Sequence, residues 1–154
     1  MTYLSILLIF AAQSHMAAGR ASYQSGEFSQ AAAQFERALR TNPASAESHY
    51  WLGRSYETLA DIATPFGRKY RSLARTHLTR AAELAPARSE YRRELLEFLL
   101  DAGDQRQAFA ILVEWAESGP EYDYMLSRVT HTQRLNASFN ARICKLFGLA
   151  TAWH

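Results

Sequence analysis

Cysteine is almost missing from this chain of 154 residues; the single one, Cys144, excludes an internal disulfide and a zinc site built on several thiolates. Charge of one sign is missing as well. Seventeen Lys and Arg against fifteen Asp and Glu leave a net +2, so no whole-chain field selects a nucleic acid or an anionic membrane as partner. Seven Gly and four Pro leave few of the turns that a many-stranded sheet requires, which favours helices. No apolar run approaches the roughly 20 residues that cross a bilayer. A Gly-rich phosphate loop, a GxSxG elbow and an HExxH pair are all missing, which removes the commonest motif-borne enzyme classes. What is present is 48% apolar sequence in one domain's length. That is enough for a continuous core and too apolar for a disordered chain.

The first residues, MTYLSILLIFAA, contain an apolar stretch from Ile6 to Ala12. Its length suits the apolar region of an export signal, with Ala12-Gln13-Ser14 as a small-residue cleavage site, although no Lys or Arg precedes it. The alternative for residues 1–11 is an N-terminal extension of the first helix. We narrowly prefer the export reading, and with it an exported or periplasmic location over the cytoplasm. A single cysteine suits either compartment.

Three prolines, Pro43, Pro86 and Pro120, each close an amphipathic run. Ala31, Phe35 and Ala38 precede the first, Ala74, Leu78 and Ala81 the second, and Ala108, Leu112 and Trp115 the third. The offsets to the proline are the same in all three. Upstream, His15-x-x-Ala18-Gly19 is echoed by His49-x-x-Leu52-Gly53 with Tyr56 beyond it, and by a degenerate third copy from Arg92 through Leu95-Leu96 to Leu99. Gly26 and Gly103 occupy matching places between the halves of their units. Small residues recur where two helices cross closely, large apolar ones fill the space around them, and proline ends the second helix of each unit.

From Ala12 to Pro120 this pattern resembles the tetratricopeptide repeat (TPR), W-x-x-L-G-x-x-Y followed by A-x-x-x-F and P, as found in bacterial TPR scaffold proteins. The resemblance implies an all-α, right-handed solenoid of antiparallel helix hairpins, with repeats at 12–45, 46–88 and 89–120. It also implies that Phe35, Leu52, Tyr56, Leu78, Leu95, Leu99, Leu112 and Trp115 are core. Residues 121–154 are expected to supply C-terminal capping helices and a tail, from the spacing of Tyr122, Met125, Leu126 and Val129 and then of Phe139, Ile143, Leu146 and Phe147.

One departure from the family spacing is local. Gly19 and Gly53 are 34 residues apart, whereas Pro43 and Pro86 are 43 apart. The nine added residues fall between Gly53 and Ala74. Their apolar spacing predicts two lengthened helices, about 47–62 and 65–84, with Thr64 as cap, Pro65 in the first turn, and Leu59, Ile62, Phe66, Tyr70 and Leu73 along the seam.

Catalytic, metal-binding and cofactor residues are not expected. His15 and His49 sit at a packing position, His77 lies beside Leu78, and His131 with Cys144 has no orienting third group. Asn136-Ala-Ser138 is a glycosylation sequon by pattern only. The family resemblance implies that the first helix of each unit lines a concave groove that receives a peptide or protein segment. One helix face from the packing set, that surface comprises Met16, Arg20, Tyr23, Tyr50, Arg54, Glu57, Arg93, Glu97 and Leu100. The positions at which chaperone-binding TPRs carry a carboxylate clamp of Lys and Asn hold Met16, Arg20, Trp51, Glu90 and Glu94 instead, which argues against a chaperone tail. A second surface is the acid-free basic run Arg68, Lys69, Arg71, Arg75. The expectation is a non-enzymatic interaction scaffold with a protein or peptide partner. The alternative is an exported or membrane-associated assembly factor docking through the basic hairpin or the N-terminus. Nucleic acid and an enzyme with an unrecognised site are the weaker readings.

Overall fold

In the computed structural model, residues 3–63 and 65–115 are described, with side chains for 11–63 and 65–112. Six helices follow one another: α1 (Tyr3–Gln24), α2 (Phe28–Thr41), α3 (Ala46–Ile62), α4 (Gly67–Leu84), α5 (Ser89–Asp101) and α6 (Gln105–Trp115). There is no strand among the described residues, and the all-α, TPR-like fold is the one the repeats imply. The chain divides into two compact units, 1–98 and 99–154. The expected capping helices, His131, Cys144 and Asn136-Ala-Ser138 lie outside the described residues, as does the Trp115 side chain.

In the first unit α1 packs on α2, α2 on α3 and α3 on α4. The crossings are close because glycine permits it. A Cβ at Gly19 would lie 2.5 Å from the Phe35 ring, and one at Gly53 would lie 2.7 Å from Leu78 Cγ. Phe35, Leu52, Tyr56, Leu78 and Leu95 are buried here, together with Ala31, Ala38, Ala74 and Ala81. Ser45 starts α3 by accepting the Ser48 N–H at 3.2 Å, an N-cap. In the second unit Leu99, Ala108 and Leu112 are buried, and Asp104 caps α6 through the Gln107 N–H at 3.2 Å.

Two helix ends share one device. After α1, the Gly26 N–H reaches the Tyr23 carbonyl and the Glu27 N–H the Ser22 carbonyl. After α5, Gly103 and Asp104 do the same to Leu100 and Leu99. Both glycines have positive φ, 79° and 75°. These are Schellman ends, which need the left-handed residue.

The α3–α4 turn is built differently. The Phe66 N–H donates to the Ala63 carbonyl, and α4 begins at Gly67 after a Phe66 N-cap that makes no side-chain cap bond. Thr64 lies outside the described residues. Pro65 stands in the turn rather than in the first helical turn, because α4 starts only where Gly67 meets the Ala60 carbonyl, 2.6 Å from the Cβ it lacks. Measured from the crossing residues, α3 runs four residues further past Gly53 than α1 runs past Gly19. Likewise α4 starts four residues earlier before Ala74 than α2 starts before Ala31. The ninth added residue goes to the turn. The hairpin therefore extends about 6 Å, one helical turn, beyond the first. Its seam is only partly as expected. Leu59 is buried, Leu73 half-buried, and Tyr70 stacks on Tyr56 at 5.8 Å. Ile62 and Phe66 are instead 63% and 60% exposed, because they lie past the last close crossing at Gly67.

Candidate functional site

The first helices of successive hairpins, α1, α3 and the start of α5, bring a cluster of aromatic and charged side chains together. Helical spacing puts Arg20 and Tyr23 on one turn of α1, and Tyr50, Trp51 and Arg54 on one turn of α3. Tyr91 and Glu94 sit on the facing turn of α5. Tyr23 meets Trp51 edge-on at 5.4 Å, Trp51 meets Tyr50 at 5.5 Å, and Tyr50 meets Tyr91 at 4.7 Å. The Arg54 guanidinium lies 5.8 Å from the Tyr23 ring centre and 6.0 Å from that of Tyr50, within cation–π range. Arg20 lies 5.8 Å from the Trp51 ring centre and pairs with Glu47.

Charge inside the cluster is balanced by opposite charge. Arg54 Nε is 3.0 Å from Glu94 Oε1. The N–H is not aimed at that oxygen, so the contact is an ion pair without a directed hydrogen bond. Burial raises the Glu94 carboxyl above its ordinary value, with Arg54 opposing the rise. Burial also pushes the Tyr50 hydroxyl up to about 12, helped by the Glu94 charge, so it stays protonated at any physiological pH.

The expected groove residues divide accordingly. Arg20 and Arg93 are exposed, and Tyr23, Arg54, Glu57 and Glu97 are half-buried. Tyr50 is buried, because Tyr91 and Trp51 cover it, and Leu100 is buried at the end of α5. These two are packing residues rather than open groove. Met16 is half-buried and accepts the Ser48 hydroxyl at 3.0 Å, which makes it part of the α1–α3 seam. Sequence reasoning missed Trp51, Tyr91, Glu94 and Glu47 as members. The opposite charges of Arg54 and Glu94, each one turn after a tyrosine, were the available signal.

The described histidines are structural. His15 bonds Gln34 at 2.9 Å. His49 and His77 stack at 5.1 Å, with their Nδ1 atoms 2.9 Å apart. His49 Nε2 lies 3.1 Å from the Pro43 carbonyl and must carry the proton there. His49 Nδ1 is therefore the acceptor, and His77 Nδ1–H the donor. Among the described residues no three His, Cys, Asp or Glu side chains come together as a metal site needs. No helix among them is long and apolar enough to cross a membrane; the stretch from Ile6 to Ala12 lies within α1.

The basic run lies apart from this cluster, at the α3–α4 tip. Arg68, Lys69 and Arg71 are exposed and Arg75 is half-buried. Arg68, Arg71 and Arg75 line a cleft of about 630 Å³ with Ala60, Pro65, Gly67 and Ser72.

Comparison with known proteins bears on the fold alone. The TPR repeat family model matches residues 19–59. No curated relative matches in sequence. Among solved structures, the Arabidopsis OM64 TPR domain is similar with a TM-score of 0.63 at 12% identity, over 80% of this chain and 98% of that one. A thermophilic TPR protein in Thermus thermophilus aligns over 90% of this chain and 100% of its own at 18% identity, with a TM-score of 0.36.

Proposed function

We propose that this tetratricopeptide-repeat protein is a non-enzymatic scaffold that holds a segment of another protein against the face of α1, α3 and α5. TPR repeats are protein-interaction modules, and that coarse role needs no particular residue. The finer reading rests on the ladder of Tyr23, Trp51, Tyr50 and Tyr91 with Arg54 set among the rings. Aromatic and arginine side chains dominate binding energy at protein interfaces, since they contribute large contact area at small entropic cost. Here they are already held in place by one another, so little ordering cost remains on binding. Exposed Arg20 and Arg93 beside Glu47 and Glu90 offer both charge signs at the rim. A segment carrying an aromatic or aliphatic anchor flanked by charge fits this surface.

The test is capture of partners from native extract with wild-type chain and with the double variant Arg20→Glu, Tyr23→Ala. Arg20 is exposed and Tyr23 half-buried at the edge of the cluster, so the fold should survive, as circular dichroism will verify. A partner held by the wild type and lost at least tenfold by the variant supports the face. Equal capture of every partner by both would refute it.

A further inference from the structure

We propose that the extended α3–α4 tip is a docking element for anionic phospholipid surfaces, independent of the α1–α3–α5 face. Three observations meet there. The tip stands about one helical turn beyond the neighbouring hairpin. It carries Ile62 and Phe66, the two large apolar side chains most open to solvent among the described residues. Arg68, Lys69 and Arg71 follow directly on α4, and Asp61, its side chain 70% exposed and paired with Arg71 at 3.5 Å, is the acid beside them. An exposed pair of this kind exchanges readily with other anions.

Apolar side chains at the apex with cations just behind them match the layering of a membrane surface. There the rings and branched chains enter the headgroup–acyl boundary, and Lys and Arg stay at phosphate level. A folded acidic partner would supply the charge but would also need a pocket for two projecting side chains. The deformable lipid interface needs none. The cleft behind the apex suits one headgroup phosphate. Arg68, Arg71, Arg75 and Ser72 line it, and Gly67 lies close against the Ala60 carbonyl. Arginine forks bind phosphate oxygens in pairs.

The experiment is co-sedimentation of the full chain with phosphatidylcholine vesicles, with and without phosphatidylglycerol. The variants are Arg68→Ala/Lys69→Ala/Arg71→Ala, and Ile62→Ser/Phe66→Ser. Arg20→Glu serves as a control off the tip. At about 1 kcal/mol per surface cation, the triple charge variant should lose on the order of 100-fold in affinity for the anionic vesicles. The apolar variant should also lose affinity, and Arg20→Glu should not. A Phe66→Trp probe should shift its emission to the blue on anionic vesicles only. Wild-type sedimentation indifferent to phosphatidylglycerol, or unaltered in both tip variants, would overturn the proposal. So would saturation of the cleft by inorganic phosphate, or by polyglutamate, in a chain that ignores vesicles; these outcomes would reassign the site to a soluble anion or an acidic protein.

Discussion

At the scale of single residues, one glycine and one histidine pair make sharp claims. Gly53 is where α3 and α4 touch, and a Cβ there would also stand 3.1 Å from the Leu78 backbone nitrogen, which cannot swing away. Gly53→Ala would gain helix propensity and lose the crossing. We expect a net destabilisation of about 1–3 kcal/mol, read as a lower denaturation midpoint in urea. The His49–His77 pair makes a pH claim. Burial lowers both rings, and for His77 the neighbouring His49 adds to it, bringing its pKa from 6.5 to about 4. Arg80 also disfavours charge on His49, while Glu36 favours it on His77, and Tyr56 packs against the His77 ring. The unfolded chain takes up protons from about pH 6.5 downward, whereas folded His77 resists until about pH 4. The pair's contribution is thus full above pH 6.5 and declines across that window. Melting temperatures of wild type and His77→Gln, measured from pH 7.5 to about 4, should show the wild type falling more steeply between those two pKa values. Parallel curves would refute the neutral pair.

At the scale of elements, helix ends are set by different means, and each means has its own sensitivity. The Ser45 oxygen caps α3, and its own hydroxyl donates to the oxygen of the buried Ser48 at 2.8 Å, since the Ser48 proton goes to Met16. Ser45→Ala should cost about 1 kcal/mol, measured by chemical denaturation, with Ser45→Asp restoring most of it. The two Schellman ends depend on Gly26 and Gly103, whereas the α3–α4 turn does without a left-handed glycine. That difference explains how the middle hairpin could take up nine residues. Four extend each helix in phase, near one full turn of 3.6 residues, so the packing faces of α3 and α4 return to register beyond the insertion. An insertion of two residues would have turned Leu59 away from its neighbours.

At the scale of the whole molecule, the two surfaces differ in physics and therefore in response to salt. The α1–α3–α5 face is a ladder of rings with internally balanced charge, so a partner held there should stay bound from low to about physiological salt and beyond. The proposed binding through the tip would rest on an excess of cations, whose field is screened over about 8 Å at 0.15 M ionic strength. A salt titration of each interaction should show a shallow slope for the face and a steep one for the tip. Steep loss at the face, with its captured partner released at moderate salt, would mean that rim charge rather than the aromatic ladder does the holding.

The sequence by itself determined the helices, their hairpin pairing and the close crossings. Gly19 faces Phe35 and Gly53 faces Leu78, which sets the close crossings of the first two units, and the third unit keeps the Ala108–Leu112 spacing while placing Leu96 where the others have glycine. It also determined that the nine residues would lengthen helices, since their spacing stays helical. Tertiary structure decided what periodicity leaves open. Spacing shows that Leu59, Ile62 and Phe66 are apolar neighbours, but only the position of the last crossing decides that Leu59 is covered and the other two are not. Tyr50 reads as surface by its helix face, yet Tyr91 from α5 lies over it, a contact between residues 41 apart in the chain. The pairing of His49 with His77 and of Arg54 with Glu94 is equally non-local. The faces of a helix are written in its own residues; what covers each face depends on helices elsewhere in the chain.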